Sequence, residues 1–175
     1  MTRASLSLLV LALVILPSAP AQNRVSLADG RVSFVLPPGF RAMTEAEIDF
    51  KYPRGNAPQY VYANERQSVS IAITFSPQAV TMDRLPELKA AMEQMMPGSI
   101  PGLAWLRREM TEINGRAWVH FEMTTSAIDT AIHNEMLLTA FDGKMLGFNF
   151  NSTVEQYGQF KDALQRNRDS IRIVP

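Results

Sequence analysis

The segment HFEMTTSAIDTAIHNEM, residues 120–136, contains both histidines of the 175-residue chain, and each opens the same pattern, His-x-Glu-Met. On an extended strand, residues two apart share a face. His120 with Glu122, and His133 with Glu135, are therefore two candidate pairs of imidazole and carboxylate. Such groups suit proton transfer, and four of them gathered together would suit zinc or manganese.

Whether the pairs meet depends on strand register. Asn114-Gly115 and Asp142-Gly143 both tolerate the positive φ angles of a two-residue type I′ turn. The first turn sets Thr111 opposite Trp118, Glu109 opposite His120 and Arg107 opposite Glu122. The second sets Leu137 opposite Phe148 and Glu135 opposite Phe150. The loop between the two hairpins, SAIDTA, does not fix how 116–126 pairs with 132–141. Glu135 opposite His120 would put His133 opposite Glu122 and make one four-residue patch. A two-residue shift would keep all four on one face with the pairs separated, and a one-residue slip would send the motifs to opposite faces.

Geometry argues against a shared ion. Side chains on adjacent strands start about 5 Å apart and project in parallel, whereas metal bonds are near 2 Å. The leading reading is a charged face with cross-strand pairs, and a metal site of His120, Glu122, His133 and Glu135, as a metal carrier or metal-dependent hydrolase, is the alternative. Trp105 and Trp118 are expected to share that face, with Thr111 and Thr124 between them. They could form an exposed aromatic patch for a ligand or protein, but a helix covering the face is the favoured expectation.

Other catalytic patterns are missing from the sequence. There is no G-x-S-x-G elbow, H-E-x-x-H, Gly-rich phosphate loop or EF-hand spacing. Cysteine is absent, which removes disulfides, thiolate ligands and Cys nucleophiles. The expectation is a non-enzymatic, cofactor-free protein. Asn151-Ser152-Thr153 fits a glycosylation acceptor, although Thr153 equally suits a helix N-cap.

The positioning framework begins after a leader. MTRASLSLLVLALVILPSAPAQ has a basic start at Arg3, an apolar run from Ala4 to Leu16, and Ala19-Pro20-Ala21 as a small-x-small cleavage site. Thirteen apolar residues fall short of the about 20 a spanning helix needs, so residues 1–21 read as a signal peptide cut before Gln22, with no transmembrane segment in the mature chain. Export to a bacterial periplasm, or release to the medium, follows. Removing Arg3 leaves 16 basic against 17 acidic side chains, a formal charge of −1. That balance gives no surplus to neutralise phosphates, so nucleic acid is excluded as a partner.

The remainder, 46% hydrophobic and 19% charged across the whole chain, reads as one domain over 31–175 after a short polar segment, 22–30. RVSFVLPPGF alternates as a strand over 31–36 before a Pro-Pro-Gly stop. Thr44 to Glu47 has the form of a capping box, so a short helix ends before Pro53. PQYVYANE and QSVSIAITFSP predict two strands turning near Asn64 to Gln67. Leu85, Leu88, Met92, Met95 and Met96 share one side of a helix over 83–96, ended by PGSIPG, with its methionines in the core. Four strands follow, at 104–113, 116–126, 132–141 and 144–151. Val154, Tyr157, Phe160 and Leu164 then mark a last helix, and Ile171 and Ile173 close the chain. Antiparallel strands punctuated by helices predict an α+β fold, a largely antiparallel sheet of about six to seven strands flanked by helices.

With VSFVLPPGF near the mature start, FDGKMLGFNFNST in the meander, and YGQF ahead of DSIRI, the chain resembles the PsbP/DcrB-like superfamily over nearly all of 31–174. These α/β/α domains include photosystem II extrinsic proteins and exported bacterial proteins. The resemblance implies the fold and a binding or accessory role, and it carries no catalytic signature onto these positions. The resulting expectation is an exported domain that binds another protein or an envelope component through the face bearing Trp105, Arg107, Glu109, Trp118, His120 and Glu122. An immunity or inhibitor protein against a secreted toxin would use the same scaffold.

Overall fold

The computed structural model describes residues 23–174 apart from 54, 56, 128 and 129. The expected leader lies outside the described residues. No described helix is long and apolar enough to cross a membrane.

In chain order the elements are β1 (Arg24–Leu27), β2 (Val32–Val35), β3 (Arg41–Ala42), α1 (Glu45–Lys51), β4 (Tyr60–Ala63), β5 (Val69–Ala79), α2 (Leu85–Ser99), β6 (Ala104–Ile113), β7 (Arg116–Ser126), β8 (Ala131–Phe141), β9 (Lys144–Thr153), α3 (Val154–Asp169) and β10 (Arg172–Ile173), with a 3-10 turn at Met82–Arg84 leading into α2. Seven strands form an antiparallel sheet in the order β3-β4-β5-β9-β8-β7-β6, and β1, β2 and β10 form a second, three-stranded sheet. The architecture is α+β, as the strand and helix pattern predicts.

Local chemistry accounts for much of this. Asn114 and Gly115 have φ of 50° and 78°, and Asp142 and Gly143 have φ of 51° and 72°, so both hairpins turn as their dipeptides require. The resulting registers match those expected for both hairpins, including Arg107 opposite Glu122 and Glu135 opposite Phe150. Thr44 caps α1, its backbone N–H donating to Glu47 Oε2 at 2.8 Å while Glu47 N–H donates to Thr44 Oγ1 at 3.3 Å. Thr153 caps α3 by accepting from Gln156 N–H at 3.3 Å.

The alternation along the strands divides the core in two. Ile71, Ile73, Trp118, Leu137, Phe148 and Phe150 face the small sheet and Leu164 of α3. Val119, Phe121, Met123 and Leu138 face α2 through Leu85, Leu88 and Met96. Each fully buried large apolar side chain contributes roughly 1.5–3 kcal/mol before conformational entropy is counted. On the α2 side of the sheet, α1 covers Val61, Ala63 and Ala72 with Ile48 and Tyr52.

Several expectations are corrected. Residues 22–30 are not merely a polar segment, because Arg24–Leu27 pairs antiparallel with β2. The strand expected over 31–36 belongs to the small sheet, and the seventh strand of the large sheet is the two-residue β3. α2 continues past Pro97 to Ser99. Proline so near a helix end forgoes one backbone bond there, a smaller loss than mid-helix, and the next turn still closes through Ile100 N–H to Met96 O. Met96 is buried and Met92 packs beside that core, but Met95 is 61% exposed and is not a core residue.

Candidate functional site: a charged cleft between the sheet and α3

The β7–β8 register is shifted by two residues from the arrangement that would put each His opposite a Glu. His120 lies opposite Leu137, Glu122 opposite Glu135, and Thr124 opposite His133. All four side chains share one face, and each imidazole reaches diagonally to the carboxylate of the neighbouring strand. His133 Nε2 is 2.9 Å from Glu122 Oε1. An ionised carboxylate only accepts, so the shared proton sits on Nε2. His120 Nε2 lies 2.9 Å from Glu135 Oε1, a close contact without hydrogen-bond alignment.

α3 completes the cleft. Tyr157, Lys161, Gln165 and Arg168 recur at spacings of four, four and three, and this stripe faces β7 and β8 over a cavity of about 490 Å³. The Tyr157 ring stacks on His133 with centroids 3.5 Å apart and planes 18° from parallel, and its hydroxyl donates to Glu122 Oε1 at 3.1 Å. Arg168 Nη1 donates to Glu135 Oε1 at 2.8 Å. From β6, Arg107 Nη1 donates to Glu109 Oε1 at 2.8 Å and its Nε to Glu122 Oε2 at 3.3 Å.

The electrostatics follow from these partners. Burial alone would raise both Glu122 and Glu135. The His133, Arg107 and Tyr157 hydrogen bonds outweigh it for Glu122, and His120 and Arg168 outweigh it for Glu135, so both stay below the usual carboxylate range. Burial and the Glu122 charge push the Tyr157 hydroxyl up to about 12. Burial lowers Arg168, but the bonds to Glu135 more than offset it, and its net shift is upward. At neutral pH the base of the cleft is thus a set of fixed, mutually bonded charges.

The structure sorts the candidates from sequence. Arg107, Glu109, His120 and Glu122 line the cleft together with Glu135, and His133 joins through Glu122. Trp118 is 1% exposed beneath the cleft, packed edge-on against Phe148, so it presents no surface to a partner. Trp105 lies on the other face. A register shift between Trp105 and Arg107 inserts Leu106 into the ladder, and Trp105 packs on Phe121 with centroids 5.2 Å apart. The expected pair of tryptophans on one face is therefore overturned by one β-bulge, which reverses alternation on its far side. Among the described residues, no group of three or more acidic, His or Cys side chains is placed to hold a metal ion. The diagonal pairing, with Arg107 and Arg168 on the carboxylates, keeps the four side chains from a common point.

Sequence reasoning placed Tyr157 only on the apolar stripe of the last helix and missed Lys161 and Arg168. The signal was present as a second stripe on the last helix, one residue beside the apolar one.

No family model and no curated protein matches the chain. Solved structures do. Cyanobacterial PsbP (CyanoP) from Synechocystis sp. PCC 6803 is 12% identical, with a TM-score of 0.62 over 92% of this chain and 98% of its own. LpqN, involved in cell envelope biogenesis of Mycobacterium tuberculosis, is 11% identical, with a TM-score of 0.57 over 91% and 88%. The Saccharomyces cerevisiae Ran-binding protein Mog1p is 14% identical, with a TM-score of 0.56 over 87% and 95%. The sheet order, the three helices and these matches together give this chain the PsbP/Mog1-type fold.

Proposed function

We propose that this chain is an exported binding or accessory domain, rather than a catalyst, and that it docks another exported or envelope protein along β6 and the charged cleft. The leader-like first 21 residues support export. The observation that carries the docking reading is β6 itself. It is the longer of the two edge strands of the seven-stranded sheet, its outer side unpaired among the described residues, ten residues long, with Leu106 57% exposed and Arg107, Arg108 and Glu109 open to solvent. An edge strand offers unpaired backbone groups to another chain, and alternating charges beside it select which chain fits. The cleft base supports recognition because its acids and bases already bond one another, leaving a preorganised surface. One protein of this fold binds Ran and another takes part in envelope biogenesis, which is consistent with a scaffold used for docking.

The test is site-specific photocrosslinking in cells from position 106, compared with a probe at exposed Glu155. A discrete adduct from 106 only, lost in an Arg107→Ala, Glu109→Ala double variant that a melting curve shows to be folded, is the expected result. Equal labelling from both positions would sink the reading.

A further inference from the structure

The other face of the large sheet carries a second cavity. α1 and α2 both pack on that face but stand apart, and between them lies a groove of about 570 Å³ floored by β5, β9 and β8. Its volume is that of a small-molecule site. The cross-strand rows of its floor change character in one direction. Ser70 lies beside Asn151, Asn149 lies between Ala72 and Met136, and Gly147 lies between Thr74 and Leu138. Those rows span about 14 Å at strand spacing. Met92 of α2 and Met145 line the apolar part, and flexible methionines adapt to a chain of variable shape.

Lys51 lines the groove with Ser70. Its Nζ donates to Gln67 O and Ser70 Oγ, each at 3.1 Å. An ammonium has three protons to give, so among the described residues one donor and the charge itself are left over. Burial pushes this ammonium down, and among the described residues no carboxylate offsets that cost. A cation with no counterion among the described residues, beside an apolar trough, is what an anionic amphiphile would complete.

We infer that the groove between α1 and α2 binds a single-chain anionic amphiphile, its head group at Lys51 and its apolar chain over Leu138, Met145 and Met92. This site is independent of the β6 cleft and lies on the opposite side of the sheet.

Calorimetry on the protein from residue 22 onward, with laurate, dodecanol and dodecyltrimethylammonium below their aggregation limits, tests it. Laurate is expected to bind at one equivalent and to shift the amide resonances of Ala72 and Gly147, with the cationic probe weakest. Lys51→Met should weaken laurate about tenfold, the size of one charge-assisted contact, while leaving dodecanol within about twofold. Thr74→Leu should occlude the floor, and Met92→Glu should repel the chain from the α2 side. Both are read only after a melting curve shows that the variant folds, and each stands in for the other if one does not. No laurate binding, equal binding of all three probes, or laurate affinity unchanged in Lys51→Met and in the folded occluding variant would each overturn the inference.

Discussion

Tyr157 reaches Glu122 and His133 at once, donating its hydroxyl to the carboxylate while its ring lies flat on the imidazole bonded to that same carboxylate. A residue of α3 therefore closes a network whose other members belong to β6, β7 and β8. Tyr157→Phe keeps the stack and removes one of three donors to Glu122, and should cost about 0.5–1.5 kcal/mol in urea unfolding. Tyr157→Ala removes both and should cost more than twice as much. Equal costs for the two variants would mean that the stack contributes nothing.

How far this network could be read from sequence depends on the range of each interaction. Asn114-Gly115 fixes the β6–β7 register locally, and so Arg107 opposite Glu122 was legible. Beyond the turn, Asn114 Nδ2 also donates to Asp169 O and Ile171 O, tying the hairpin to the end of α3, and no local pattern announces that. The SAIDTA loop left the β7–β8 register open because a six-residue loop admits several closures. The bulge at Leu106 was equally hidden, since Trp105 packing on Phe121 decides it. β1 escaped notice because its four residues form a strand only once β2 and the first core are there to receive Val25 and Leu27.

Acid should expose the same network. Glu122 and Glu135 both titrate below their ordinary value of 4.5 in the folded protein. A carboxylate with a lowered folded pKa contributes stability that is complete above the unfolded pKa and is lost as pH falls through the folded one. Unfolding free energy should hence decline below about pH 4.5, with the two carboxylates contributing to the slope. Glu135→Gln leaves Arg168 half-buried beside a neutral amide and should cost about 2 kcal/mol at pH 7, at the low side for a broken buried pair because Asp169 still holds the guanidinium. The variant should also lose less between pH 5 and pH 3 than the parent does. An identical acid slope in the two proteins would contradict the network as drawn.

Gly102, before β6, has φ of +63°, and a Cβ there would fall 2.1 Å from Ser126 Oγ and 2.9 Å from Ser126 Cβ. Gly143 has a similar φ of +72° with nothing within 4 Å of its hypothetical Cβ. The two positions separate backbone strain from steric exclusion. Gly143→Ala should cost about 1–2 kcal/mol, the left-handed penalty alone. Gly102→Ala should cost clearly more, because the Ser126 backbone N–H is bonded to Pro101 O and cannot retreat. A Gly102→Ala, Ser126→Gly double variant should recover part of the difference in melting temperature.

Trp118 distinguishes a structural anchor from a binding residue. Its ring is 1% exposed among Phe148, Leu137 and Ile113, and its Nε1–H has no acceptor among the described residues. A buried donor left unpaired costs about 1–3 kcal/mol, so replacing the indole with a ring that lacks the N–H removes that cost while losing some volume. The two effects oppose one another. Trp118→Phe should consequently stay within about 1.5 kcal/mol of the parent, whereas Trp118→Ala, which gains no compensating packing, should cost about 3–5 kcal/mol. Neither change should alter crosslinking from position 106 in a folded variant, because the indole lies beneath the cleft. If Trp118→Phe abolished the adduct while leaving the melting temperature intact, the indole would be contacting the partner, and the buried position would have to open on binding.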